Sequence, residues 1–133
     1  MRRPDSGLSL IELLVVLAIA GLVAAIALPN YASAVAKSRR TAAAACLSEH
    51  ALALERAYPA ALAYPAVAPT LACASELAGH YTVSASLQAQ TFTLIATPSA
   101  NQAAKDSGCG CALSLSSNGA KDVGGACTVA ACW

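Results

Sequence analysis

Six cysteines and two histidines carry the most reactive side chains in this 133-residue sequence. Cys46, Cys73, Cys109, Cys111, Cys127 and Cys132 admit two uses. They can pair as disulfides in an oxidising compartment, or serve as thiolate ligands to a soft metal. The Cys109-Gly110-Cys111 run lacks the usual zinc-ligand spacing. Neither His50 nor His80 has a second histidine at ligand spacing. The even cysteine count, all of it downstream of a long apolar segment, points to disulfides, and no metal is assigned. His50 and His80 read as surface or packed residues, because no nucleophile motif stands beside them. No phosphate-binding glycine loop occurs. The sequence therefore predicts no catalytic residue, no cofactor and no enzyme.

One carboxylate also stands out. Glu12 lies inside "GLSLIELLVVLAIAGLVAAIALPNY", residues 7–31. At about 1.5 Å rise per residue, Leu8 to Leu28 reaches roughly 32 Å, the thickness of a hydrocarbon core. A carboxylate in such a helix costs on the order of 2.5–3.5 kcal/mol at the centre and less near the edge, so a partner is expected. No basic residue lies in the same apolar segment. Once a leader is removed, the nearest cation is an α-amino group, its own or a neighbouring subunit's. Paired across a helical bundle, Glu12 would fix axial register, as buried polar pairs do in coiled coils. The plainer alternative is a glutamate that snorkels to the headgroups.

Ahead of this segment stands "MRRPDSG", a basic leader with Arg2 and Arg3. A secretory signal also starts basic, but its apolar run is about 7–15 residues and a small-residue cleavage site follows it. Here the run is longer and the glycine precedes it. "G-LSLIE" resembles the class III signal of type IV pilins and pseudopilins. The resemblance implies that a prepilin peptidase cuts after Gly7 on the cytoplasmic side, methylates the new N-terminus at Leu8, and leaves the helix in place. Glu12 then takes the family's glutamate position, and Gly21 and Pro29 its glycine and proline positions. Two departures bear on processing and methylation: Leu8 stands where the family usually has Phe, and Ser6 where it usually has Lys or Arg.

The elements that must carry these residues follow from pattern. "SRRTAAAACLSEHALALERAY" is rich in strong helix formers. Val35, Ala42, Cys46 and Leu54 recur at roughly helical spacing and offer a core face. Glu49, Glu55 and Arg56 read as solvated. One helix of about 50 residues is expected, kinked or loosened at Gly21 and Pro29, where an interior proline removes a hydrogen bond. Tyr58-Pro59 is expected to end it. Residues 59–80, with Pro59, Pro65 and Pro69, read as a loop. "YTVSASL" (81–87) and "TFTLIAT" (91–97) alternate as strands joined by "QAQ". "CALSLSS" (111–117) is a third strand, followed by the turn signal Asn118-Gly119. "CTVAACW" reads as an edge strand or tethered tail. The plan is α+β: a long N-terminal helix, half membrane or filament core and half amphipathic, packed on a small antiparallel sheet. This ladle-shaped pilin fold, with a disulfide-stapled C-terminal region, is also what the resemblance implies. The parts are a leader (1–7), a transmembrane or filament-core helix (8–28) and a periplasmic domain (29–133).

The tail resembles that of PilE-like minor type IVa pilins. The matching positions are Gln102, Asp106, Cys109, Gly110, Gly119, Lys121, Cys132 and Trp133. Six cysteines allow 15 connectivities, and the sequence alone does not choose among them; topology suggests Cys46 on the helix with Cys73 in the loop. By resemblance Cys109 closes the family's D-region with Cys132, leaving Cys111 to Cys127. Adjacent strand side chains diverge, which disfavours a direct Cys109–Cys111 bridge.

Charge bounds the partners. The net charge is +1, so nucleic acid is at most a weak partner of the chain as a whole. Lys37, Arg39 and Arg40 form the one local basic cluster. The flanking cations leave orientation ambiguous, and the cysteines place the C-terminal domain outside the cytoplasm. The resemblance implies a structural subunit of a type IV pilus, a minor one, with roles in priming, assembly, adhesion and twitching motility. It implies a single-pass inner-membrane protein that becomes part of an extracellular pilus. Its partners would be major and minor pilin subunits, the prepilin peptidase and N-methyltransferase, and the assembly machinery. A major pilin or a type II secretion pseudopilin stays open within that class. An uncleaved, signal-anchored periplasmic binding module is the alternative of another class.

Overall fold

A computed structural model describes residues 9–133; the processing positions Gly7 and Leu8 lie outside them. Helix α1 runs Leu10–Ala61, and its helical assignment continues through Gly21 and Pro29. It is long and apolar enough in its first part to cross a membrane. Two units divide the chain, one ending at Ala32 and the other beginning at Ser33.

The first unit is a helix with its large apolar side chains, from Leu10 to Leu28, exposed. The second unit has its own core. There α1 buries Ala36, Arg40, Ala43, Cys46, Leu47, His50 and Leu54. The spacing of 36, 40, 43, 47, 50 and 54 is the three-four alternation of a single helix face. Of the expected face of Val35, Ala42, Cys46 and Leu54, Cys46 and Leu54 are buried in the core and the other two are not. Ala42 is exposed and Val35 only half-buried. The true stripe includes Arg40 and His50, which a purely apolar pattern skips.

The helix also outlasts its expected stop. Pro59 sits in the last turn, where it removes only the bond to the carbonyl four residues back. The chain leaves the helix at Leu62, whose φ of 53° is left-handed, with Leu62 N–H donating to the Tyr58 carbonyl. The following loop is pinned by Tyr64 N–H donating to the Ala89 carbonyl. It contains a short helix, α2 (Ala72–Glu76), that the prolines masked.

Four strands form one antiparallel sheet in the order β1-β2-β3-β4. They are β1 (Tyr81–Leu87), β2 (Phe92–Pro98), β3 (Leu113–Ser116) and β4 (Lys121–Val123). Tyr81 pairs with Pro98 and Leu87 with Phe92, Leu94 with Leu115, and Leu115 with Lys121. Phe92, Leu94 and Ala96 alternate inward along β2, joined by Leu113 and Leu115 of β3. Together with Leu47 and Leu54 of α1 they make one core. Between β2 and β3 lies α3 (Ala100–Lys105), capped by the Ser99 side chain, which accepts from Gln102 N–H. At the Asn118-Gly119 turn, Gly119 takes a φ of 78°, a value that suits glycine. The edge strand beyond this turn is β4. "CTVAACW" forms no strand: it contains the short helix α4 (Val129–Cys132), tied down through Cys132.

Candidate functional site

Three constructions in the second unit could serve function: a buried polar clamp, a set of bridges, and a cleft. The clamp joins α1 to the segment after β2. Arg40 lies 6% exposed on the core face of α1, and its guanidinium donates to Asp106 at the end of α3, itself 4% exposed. Gln102, one turn earlier and 2% exposed, donates through Nε2 to the Ala36 carbonyl at 2.7 Å. The same Nε2 reaches the Tyr81 hydroxyl of β1 at 3.5 Å. Burial pushes the Tyr81 phenol up, against the Gln102 hydrogen bond and the Arg40 charge, which lower it, and with the Asp106 charge, which raises it. A buried ion pair must be met by further hydrogen bonds to offset its desolvation, yet Asp106 Oδ2 and Gln102 Oε1 remain without protein partners.

Gln102 and Asp106 were expected from the resemblance of the tail, and Arg40 was grouped with Lys37 and Arg39 as one local basic cluster. Arg40 is instead consumed by Asp106, leaving Lys37 exposed and Arg39 half-buried beside it. The signal for Arg40 was its place in the 36–40–43–47 stripe.

Three disulfides lock this unit. Cys46 of α1 is joined to Cys73 of α2, Cys109 to Cys132, and Cys111 to Cys127. Gly110, between two bridged cysteines, packs so closely on α3 that an added Cβ would lie 2.7 Å from the Ala103 carbonyl oxygen. Among the described residues, two groups hold ligand-type atoms within 4.8 Å of one another: Cys46, His50 and Cys73, and Cys109, Cys127 and Cys132. All these sulfurs are committed to bridges, and a metal needs thiolates.

A cleft of about 490 Å³ opens between α1 and α2, lined by Arg39, Glu49, Glu76 and His80 and by the Cys46–Cys73 bridge. Its opposed charges form no arrangement of nucleophile, base and orienting group. In the first unit, Glu12 and its neighbours project from a fully exposed helix.

A family profile described as type IV minor pilin ComP, DNA uptake sequence receptor, matches residues 29–113. A second, the prokaryotic N-terminal methylation motif, matches residues 2–28. A solved structure of a type IV pilin from Shewanella oneidensis is similar at 29% identity with a TM-score of 0.56, covering 74% of this chain and 97% of that one. A search among curated proteins finds no match.

Proposed function

This chain belongs to the type IV minor pilin ComP family, and from that premise we propose how its two units divide the work of a minor pilin. The single observation that carries the proposal is an apolar helical stretch, exposed from Leu10 to Leu28, followed in the chain by a cross-linked α+β unit. Processing after Gly7 exposes the α-amino group of Leu8. The helix holds the subunit in the inner membrane and then in the filament, where Glu12 pairs with the N-terminus of a neighbouring subunit. The disulfide-bridged unit is displayed on the pilus and serves assembly, adhesion and twitching motility. Mass spectrometry of the protein from cells tests this reading. A chain beginning at an N-methylated Leu8 is expected, whereas an intact "MRRPDSG" leader would return the chain to a signal-anchored module.

DNA is a second reading, favoured by the family's description as a DNA uptake sequence receptor. In the second unit, the exposed cations outside α1 are Lys105 and Lys121, the latter 4.8 Å from the Trp133 ring. Two such cations neutralise few phosphates, so binding driven by counterion release is weak and affinity must come from base contacts. Fluorescence anisotropy with duplexes of different sequence is expected to give a shallow salt slope, near −2 on the logarithmic scale for two phosphate contacts. Lys121→Ala is expected to lower it by about one. A steep slope with no sequence preference would sink this reading.

A further inference from the structure

His50 has no part in the clamp, yet it is 5% exposed and neither ring nitrogen has a protein hydrogen-bond partner. Buried imidazoles normally find partners. Its neighbour is the Cys46–Cys73 bridge. Cys46 lies one turn earlier on the same face of α1, and a ring nitrogen lies within 4.8 Å of both sulfurs. The comparable group of residues at the C-terminal bridges, Cys109, Cys127 and Cys132, offers sulfur only. The Cys46–Cys73 bridge also lines the 490 Å³ cleft; Cys46 is 1% exposed and Cys73 half-buried, so a thiol or disulfide reagent from solvent meets Cys73 first.

We propose that His50 is the acid–base group of the Cys46–Cys73 disulfide, taking the Cys46 proton as the bridge closes and returning one when it opens. The reagent is a small disulfide or the active-site disulfide of a thiol–disulfide oxidoreductase, entering by the cleft. The Cys73 thiolate first attacks it, forms a mixed disulfide and releases one reagent thiolate, which takes up the Cys73 proton. Cys46 then gives its proton to His50, and the Cys46 thiolate attacks the Cys73 sulfur. The Cys46–Cys73 bond forms, the bond from Cys73 to the reagent breaks, and the second reagent thiolate leaves with the proton from His50. Two protein thiols are oxidised, and one reagent disulfide is reduced to two thiols. Because Cys46 and His50 are four residues apart on one helix, the pair exists as soon as α1 forms, before α2 is fixed. Burial holds the imidazole below its ordinary range, partly countered by the Glu49 carboxylate, so it is a neutral base at neutral pH. The other charged and titratable groups facing this bridge across the cleft are Arg39, Glu76 and His80.

The proposal makes this bridge differ from the other two in its pH profile. A neighbouring base that lowers a thiol pKa by one unit raises the thiolate about tenfold and cuts its nucleophilicity about threefold, a net gain of about threefold. The full chain, fully reduced in detergent, is reoxidised with oxidised glutathione between pH 6 and pH 9, quenched with acid, alkylated, and each bridge followed by peptide mass. Closure of Cys46–Cys73 in the native chain is expected to fall less steeply toward pH 6 than closure of the other two. His50→Gln is expected to slow it about threefold or more at pH 6, to speed it about twofold near pH 9, where the thiolate gain is gone and the nucleophilicity cut remains, and to leave Cys109–Cys132 and Cys111–Cys127 unchanged throughout. His50→Asn, shorter and also non-basic, is the second variant in case His50→Gln fails to fold; it is expected to reproduce the steeper profile. An unchanged profile in a folded variant overturns the proposal. So does an equal slowing of all three bridges at every pH, which marks a packing role only.

Discussion

The two parts of helix α1 solve opposite problems with the same backbone. From Leu10 to Leu28 the large apolar side chains point outward, so stability of that stretch in any state depends on lipid or on other subunits. From Ala36 to Leu54 the buried face holds small apolar residues, two leucines, and the polar Arg40 and His50. The apolar stretch is thus specified by what surrounds it, and the second by the apolar core, one bridge and one polar clamp within its own unit. Charge follows the same division. Glu12 has no partner within its own helix, while Arg40 finds Asp106, 66 residues away in sequence.

The largest test of this contrast is Glu12→Ala. Removing a carboxylate from an apolar helix lowers its insertion cost, so membrane insertion is expected to hold or improve. Filament incorporation, measured on sheared pili, is expected to be lost, while thermal unfolding of the Ser33–Trp133 unit stays unchanged. Normal incorporation would remove Glu12 from the register argument.

Arg40→Ala is expected to do the reverse. Stranding a buried Asp106 costs about 3–5 kcal/mol in such pairs, read as a fall in the denaturation midpoint, with membrane insertion untouched. The double replacement Arg40→Met with Asp106→Leu sharpens the point. Apolar replacement of a buried pair is often neutral, so most of that loss is expected to return. If the double variant is as unstable as the single, the ion pair holds the segment after β2 by direction and not merely by filling space.

Next in size is the bridge beside the clamp. Cys109 and Cys132 are 23 residues apart, and opening a loop of that length costs about 3 kcal/mol by the chain-entropy estimate. Cys109→Ala with Cys132→Ala is expected to lower stability by about that amount. It leaves the apolar part of α1 as it was, because that part has no cysteine.

What the sequence disclosed divides along the same line. The apolar segment and the strands β1 to β3 were legible because hydropathy and period-two alternation are local signals. The helices α3 and α4 and the strand β4 were not, since elements of three to six residues are fixed by caps, bridges and neighbours more than by propensity. Arg40 was grouped with Lys37 and Arg39 as one basic cluster, because its partner Asp106 lies 66 residues along the chain and no local pattern announces it. His50 was read as a packed or surface residue, and its relation to Cys46 needed only the four-residue spacing.

The smallest effect lies in the loop after α1, where Tyr64 meets both ends of the second unit's core. Its hydroxyl donates to Glu55 Oε1 at 2.7 Å, and its ring lies 4.8 Å from Tyr58 and 5.0 Å from Phe92. The hydrogen bond to Glu55, then burial and the charges of Glu55 and Tyr58, push its phenol up to about 12. The folded value lies above the ordinary 10.0, so the fold favours the neutral phenol. That contribution is fully present below about pH 10 and is lost as pH rises through about 12. Glu55→Gln keeps an acceptor but removes the charge. Absorbance titration is expected to show one tyrosine returning toward the ordinary range, with only a small fall in the denaturation midpoint at neutral pH, because the contact is exposed. A large fall in that midpoint would mean that the loop supports the core through this contact, and the boundary between self-sufficient core and displayed surface would then lie beyond Tyr64.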